Sequence, residues 1–232
     1  MDNKFLNWLI ESPKVYYIYN RGSIIYGLNT KDSDIDFLVI VDPEFELPEE
    51  FNEYKTKGYD HRDIQYNIFI DNCDFIFFTT NEWFPKVMHG DIVAWECACL
   101  PKKFIHKEHV KLMMSTNPLQ LRKDIDEYLD LYYMVAHNHF LKNEVKDWKK
   151  QLWETIKYTK FANQIIENHK IINFKDSISE YEQLVENDCE DEASILKLWL
   201  DLIRVPIGLL HKSTDGMLKK EKEKKIIQNE KK

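Results

Sequence analysis

Residues 22–36 run Gly-Ser-Ile-Ile-Tyr-Gly-Leu-Asn-Thr-Lys-Asp-Ser-Asp-Ile-Asp, a Gly-Ser turn followed by two alternating aspartates. Each half supplies something that phosphoryl chemistry on a nucleotide needs. The small backbone at Gly22 lets amide N–H groups and the Ser23 hydroxyl approach a polyphosphate. Asp34 and Asp36 stand one strand repeat apart, so their carboxylates point the same way and can share divalent cations. Two-metal phosphoryl transfer spaces its cations about 3.5–4 Å apart, one activating the attacking hydroxyl and one neutralising the leaving pyrophosphate. A third carboxylate on a neighbouring strand completes such a site, and oxygen ligands favour magnesium or manganese over zinc.

The elements that must hold these groups are readable around them. Residues 3–11 suggest a short helix, and Val15 to Tyr19 a strand running into Arg21-Gly22-Ser23, where a Gly-led turn starts a helical turn over Ser23 to Tyr26. The next strand, Asp34 to Val41, puts Asp34, Asp36, Leu38 and Ile40 on one face and Ile35, Phe37, Val39 and Val41 on the other. Apolar residues on both faces beyond the aspartates mark a central strand covered on two sides. Pro43 and Pro48 bracket an acidic surface loop, after which Ile64, Tyr66, Ile68 and Ile70 alternate with polar residues. Asp71-Asn72 then separates this strand from Cys73 to Thr80, which predicts a hairpin.

Asp74 is the first choice for the third carboxylate, because it opens an apolar strand able to pair beside Asp34 to Val41. Asp63 and Asp71 compete with it. Arg21 beside the turn is a candidate phosphate contact or a partner for one of the acids. Tyr26 is expected in the core, Gly27 to meet a backbone requirement, and Ser33 to bond local backbone. Lys157 and Lys160, with Lys149 and Lys150 a turn or two earlier, could face a triphosphate; the plainer expectation is a solvated helix face. His137-x-His139, His106 with His109, and Cys97-x-Cys99 lack a clustered third ligand in the sequence and are not read as metal sites.

Gly22-Ser23, Tyr26-Gly27 and Ser33-Asp34-Ile35-Asp36 resemble the signature of the DNA polymerase beta superfamily of nucleotidyltransferases. They are particularly similar to a group of predicted nucleotidyltransferases, some of which accompany RNA-repair ligases in bacteria and phages. The close match covers residues 20–41, with a looser one to about residue 100. The resemblance implies a mixed sheet with helices, two divalent ions on Asp34, Asp36 and Asp74, and a nucleoside triphosphate such as ATP with its phosphates on Gly22 and Ser23. It further implies transfer of a nucleoside monophosphate to an acceptor hydroxyl on an RNA end, a protein or a small molecule. The competing class is a non-catalytic nucleotide-binding regulatory or interaction module; a third option is an antitoxin-paired transferase acting on a tRNA or a partner protein.

From Asn81 onward helical patterns dominate. Asn117-Pro118-Leu119-Gln120 carries an N-cap, a first-turn proline and a Gln three residues on, so a helix is expected from there to about His139. A second helix is expected over Lys149 to Ile166, with Leu152, Trp153, Ile156, Ala162 and Ile165 along one side, and a third from Asp191 to about Arg204, bent or stopped before Pro206. The Trp and Tyr residues between Trp83 and Trp199 are read as core. The result is an α/β (α+β) architecture: a nucleotidyltransferase-like mixed-sheet half over residues 1–106, a helical substrate-recognition region over 107–217 and a charged tail over 218–232.

Composition narrows the partners. The net charge of −8 argues against a whole-surface polynucleotide footprint. The tail carries seven Lys against three Glu, which leaves −12 on residues 1–217. Four cysteines without paired spacing are expected to be reduced, and the amino terminus carries neither a signal peptide nor a spanning helix, giving the expectation of a cytoplasmic protein with no membrane partner.

Overall fold

A computed structural model describes residues 4–56, 66–189 and 191–230. They form two compact units, the first holding a sheet and running to Met114, the second holding the long helices that follow. The first unit begins with helix α1 (Lys4–Glu11), strand β1 (Val15–Arg21), helix α2 (Ser23–Tyr26) and strand β2 (Ile35–Val41). A 3-10 turn (Glu49–Tyr54) leads to β3 (Lys55–Thr56), and β4 (Tyr66–Ile70) and β5 (Cys73–Thr79) follow. Helices α3 (Thr80–His89) and α4 (Ile92–Ala98) precede the last strand, β6 (Ile105–Glu108).

The described strands make one six-stranded sheet in the order β3-β4-β5-β2-β1-β6. The hairpin β4–β5 arises where expected. Asp71 and Asn72 take φ of 52° and 57°, the left-handed pair that a two-residue turn matched to strand twist requires, and Ile70 faces Cys73 across it. β2 pairs antiparallel with β1 and parallel with β5, so it is central. Its two faces divide as its alternation predicts: Phe37, Val39 and Val41 join Phe5 and Leu9 of α1 with Phe75 and Phe77 of β5 in one apolar core. Phe37 stacks on Phe75 at 4.7 Å, and Phe5 meets Phe75 edge-on at 4.9 Å. On the other face Leu38 and Ile40 are fully buried, and Trp83 of α3 packs at 6.0 Å from Phe78, the register partner of Ile40.

The expected division at residue 106 falls inside β6, because Lys107 and Glu108 still pair with Ile18 and Tyr17 at the sheet edge. The Lys107 ammonium also donates to the carbonyls of Ile10 at 2.8 Å and Ser12 at 2.6 Å, which satisfies the open end of α1.

In the second unit, α5 (Pro118–Leu141) starts at its expected cap, with Asn117 Oδ1 accepting the Gln120 N–H at 3.1 Å. The Gln120 side chain bonds forward to Asp124 at 2.7 Å. α6 (Val145–Asn168) is buried nearly all round, well beyond the stripe the sequence shows. α7 is Ile178–Leu184, and α8 runs from Glu192 to Glu230. Of the two outcomes expected before Pro206, a bend or a stop, the stop is corrected: the helix continues through it. Ile203 and Leu210 on either side of Pro206 are buried, and the Pro206 carbonyl accepts from Asn163 of α6 at 2.8 Å, so packing outweighs the lost backbone bond. α8 also crosses position 218 without a break. Among the described residues, no helix is long and apolar enough to cross a membrane.

Candidate functional site

Gly22 occupies a backbone conformation, φ 69° and ψ −156°, that residues with a Cβ rarely adopt. A Cβ placed there would lie 1.8 Å from Asp36 Oδ2, so the turn rests directly against the central aspartate. The requirement for glycine is therefore double, in backbone angle and in space. The Ile25 N–H closes onto the Gly22 carbonyl at 3.1 Å. Gly27 ends the helical turn in the left-handed region at φ 76°, and both its N–H and that of Leu28 bond to the Ser23 carbonyl. This is the backbone role expected of it.

Asp36 and Asp74 face each other in the parallel β2–β5 pairing, about 5 Å apart at the backbone. Asp34 lies two residues before Asp36, just ahead of β2, and near enough for its charge to act on Asp74. Burial first, then the charges of Asp36 and Asp34, push the Asp74 carboxyl up from its ordinary value to about 6. Asp74 thus feels both other carboxylates, and carboxylate oxygens are the donor type that suits a hard divalent cation. The segment carrying Asp34 is fastened to the hairpin turn: Asn72 donates its side-chain amide to the Ser33 carbonyl at 3.2 Å and accepts the Ile35 N–H at 3.1 Å. The Ser33 hydroxyl accepts the Thr30 N–H at 2.9 Å, the local role expected of it. Of the competing acids, Asp71 sits at the exposed turn, and Asp63 lies outside the described residues.

Arg21 ends β1 opposite Asp36 and comes within 3.9 Å of Glu96 in α4. Tyr26 is buried and donates its hydroxyl to the same Glu96. Glu96, 1% exposed, is a residue that sequence reasoning missed, although it is the one charged residue in the apolar run Ile92–Ala98.

Three of the four lysines named on α6 correct the expectation of a solvated face, while Lys150 is exposed as expected. Lys149 and Lys157 are buried. Lys149 donates to the Asn187 carbonyl, and Lys160 to the Asp176 carbonyl and to Glu180, each at 2.6 Å. Lys157 pairs with Glu154, its ammonium 4.3 Å from the centre of the Tyr158 ring and 5.2 Å from that of Trp153. Long stems let these side chains bury, and the heads of Lys149 and Lys160 fasten the chain that follows α6. His137 and His139 do point different ways: His137 faces Glu192 at 3.7 Å, while His139 bonds Glu144 at 2.6 Å. His139 nevertheless gathers two acids, Glu144 and Asp147, at the exposed turn between α5 and α6, a grouping created by the reversal of the chain.

No curated protein matches the chain. A nucleotidyltransferase-like protein from Exiguobacterium sibiricum 255-15 is 11% identical, with a TM-score of 0.33, over 94% of this chain and 78% of that one. Residues 3–112, the stretch that contains the Gly22–Ser23 turn and all three carboxylates, match the family model described as Nucleotidyltransferase domain.

Proposed function

We propose that the protein is a metal-dependent nucleotidyltransferase that moves a nucleoside monophosphate from a triphosphate such as ATP to an acceptor hydroxyl. The observation that carries this reading is the register of Asp74 against Asp36, with the Gly22 turn lying on Asp36. Asp34, Asp36 and Asp74 would hold magnesium or manganese, which when bound would neutralise phosphate charge and acidify the acceptor hydroxyl. Gly22 and Ser23 anchor the β and γ phosphates, and Asp74 serves the side on which the hydroxyl loses its proton. The acceptor hydroxyl releases its proton to solvent, its oxygen forms its bond to the α phosphorus as the bond to the bridging oxygen breaks, and pyrophosphate leaves. Arg21 is the proposed cationic contact to phosphate; the Lys157 ammonium, expected as a second, is buried and paired with Glu154.

The acceptor belongs to one of three classes: an RNA end, a protein hydroxyl or a small molecule. Incubating the protein with each labelled triphosphate, magnesium or manganese, and a total RNA and protein extract shows where the label goes. Asp36→Asn should cut transfer about a thousandfold while leaving the melting temperature nearly unchanged. Turnover retained in that variant would sink the assignment. Label on RNA that declines steeply with salt supports the RNA branch.

A further inference from the structure

We infer that Glu96 is a positioning residue for the phosphate turn, one buried carboxylate holding the residues on both sides of Gly22–Ser23. This rests on the nucleotidyl-transfer reading above. A carboxylate 1% exposed in an otherwise apolar helix is costly to keep, and an apolar side chain would pack α4 equally well, so its partners explain its presence. Those partners are specific. Oε1 accepts the hydroxyl of Tyr26, the last residue of α2, and Oε2 faces the guanidinium of Arg21, the last residue of β1, at 3.9 Å. Oε2 accepts no hydrogen bond among the described residues, so its compensation is the guanidinium charge.

Only residues 22–25 lie between the two held positions, and that stretch has no slack on its other side, where the Cβ position of Gly22 falls 1.8 Å from Asp36 Oδ2. Glu96 beneath and Asp36 beside the turn therefore fix its place together. A shift of the turn moves the phosphate anchors relative to the carboxylates, and misplacement by about 1 Å can cost a hundredfold in rate.

The test compares the wild type with Glu96→Gln, which keeps the shape and an acceptor for Tyr26 but removes the charge that faces Arg21. Tyr26→Phe removes the other tie, and the double variant tests their coupling. Transfer is followed as kcat and KM, affinity by titration with a non-hydrolysable triphosphate, and folding by melting temperature. We expect each single variant to lose about tenfold or more in kcat with the melting temperature nearly unchanged, and the double variant to lose less than the product of the two. If the wild type binds triphosphate but gives no transfer with the acceptors tried, weaker binding in both variants still supports the inference, and equal binding overturns it. Wild-type transfer that persists undiminished in both variants, or losses that merely follow unfolding, overturn the inference alone. A wild type that neither transfers nor binds triphosphate overturns the functional reading and this inference with it.

Discussion

Asp74 in the sheet unit and Lys157 in the helical unit are both charged side chains, the first half-buried and the second buried, and their surroundings differ in sign. Asp74 is pushed up to about 6 by burial and by two further aspartates, so the sheet unit gathers like charges at the ends of β2 and β5. In the helical unit Lys157 meets Glu154, Lys160 meets Glu180 and Arg122 meets Asp215. Opposite charges close a structure on itself. Like charges held together repel one another and favour a cation placed among them. Charge in the helical unit is met within that unit, whereas the carboxylates gathered in the sheet unit share one sign.

That distinction is sharpest where one charge is deleted. Lys157→Ala leaves Glu154 without its buried partner and should destabilise the protein by about 3–5 kcal/mol in denaturant unfolding. Replacing both by apolar residues of similar size should restore most of that loss; a double variant as unstable as the single one would break the comparison. Magnesium or manganese should act on the other unit. At about a hundredfold excess over its dissociation constant the cation should stabilise the wild type by about 2.7 kcal/mol, and Asp74→Asn should remove most of this. An unchanged cation effect in that variant would take Asp74 out of the site. Gly22→Ala, strained in φ and driven against Asp36, should cost about 1–3 kcal/mol and lower transfer more than melting temperature.

The smallest effect concerns pH without added cation. Folded Asp74 holds its proton more tightly than the unfolded chain, whose value is near 3.8, so folding takes up protons between about 4 and 6. Its contribution is complete below about 4 and is lost as pH rises through about 6. The melting temperature of the wild type should therefore fall relative to Asp74→Asn across that window. A gap that stays constant from pH 4 to 8 would contradict the raised value.

Local signals were legible and distant ones were not. Gly22, Ser23 and Tyr26 marked the turn and its short helix, and Asp71-Asn72 marked the hairpin that brings Asp74 into register beside Asp36, because each depends on backbone preferences of adjacent residues. Glu96 was missed because its partners lie 70 and more residues away. Its trace in the sequence, a lone acid in an apolar helix, becomes meaningful only when Tyr26 is seen against it. The α6 lysines misled for a related reason: periodicity locates a stripe of apolar residues, but a helix covered on most sides also buries the residues between. Pro206 shows local preference yielding to packing, since its neighbours in α8 are held by buried contacts.

Asn72 carries two obligations at once. Its left-handed backbone is within reach of Asn, Asp or Gly, but the amide that fastens Ser33 belongs to asparagine. Glycine at this position would therefore satisfy the hairpin and keep the bond from the Ile35 N–H, but lose the tie on Ser33 and loosen the segment ahead of Asp34. A single turn residue thus sets how far local backbone chemistry can drift before the site feels it.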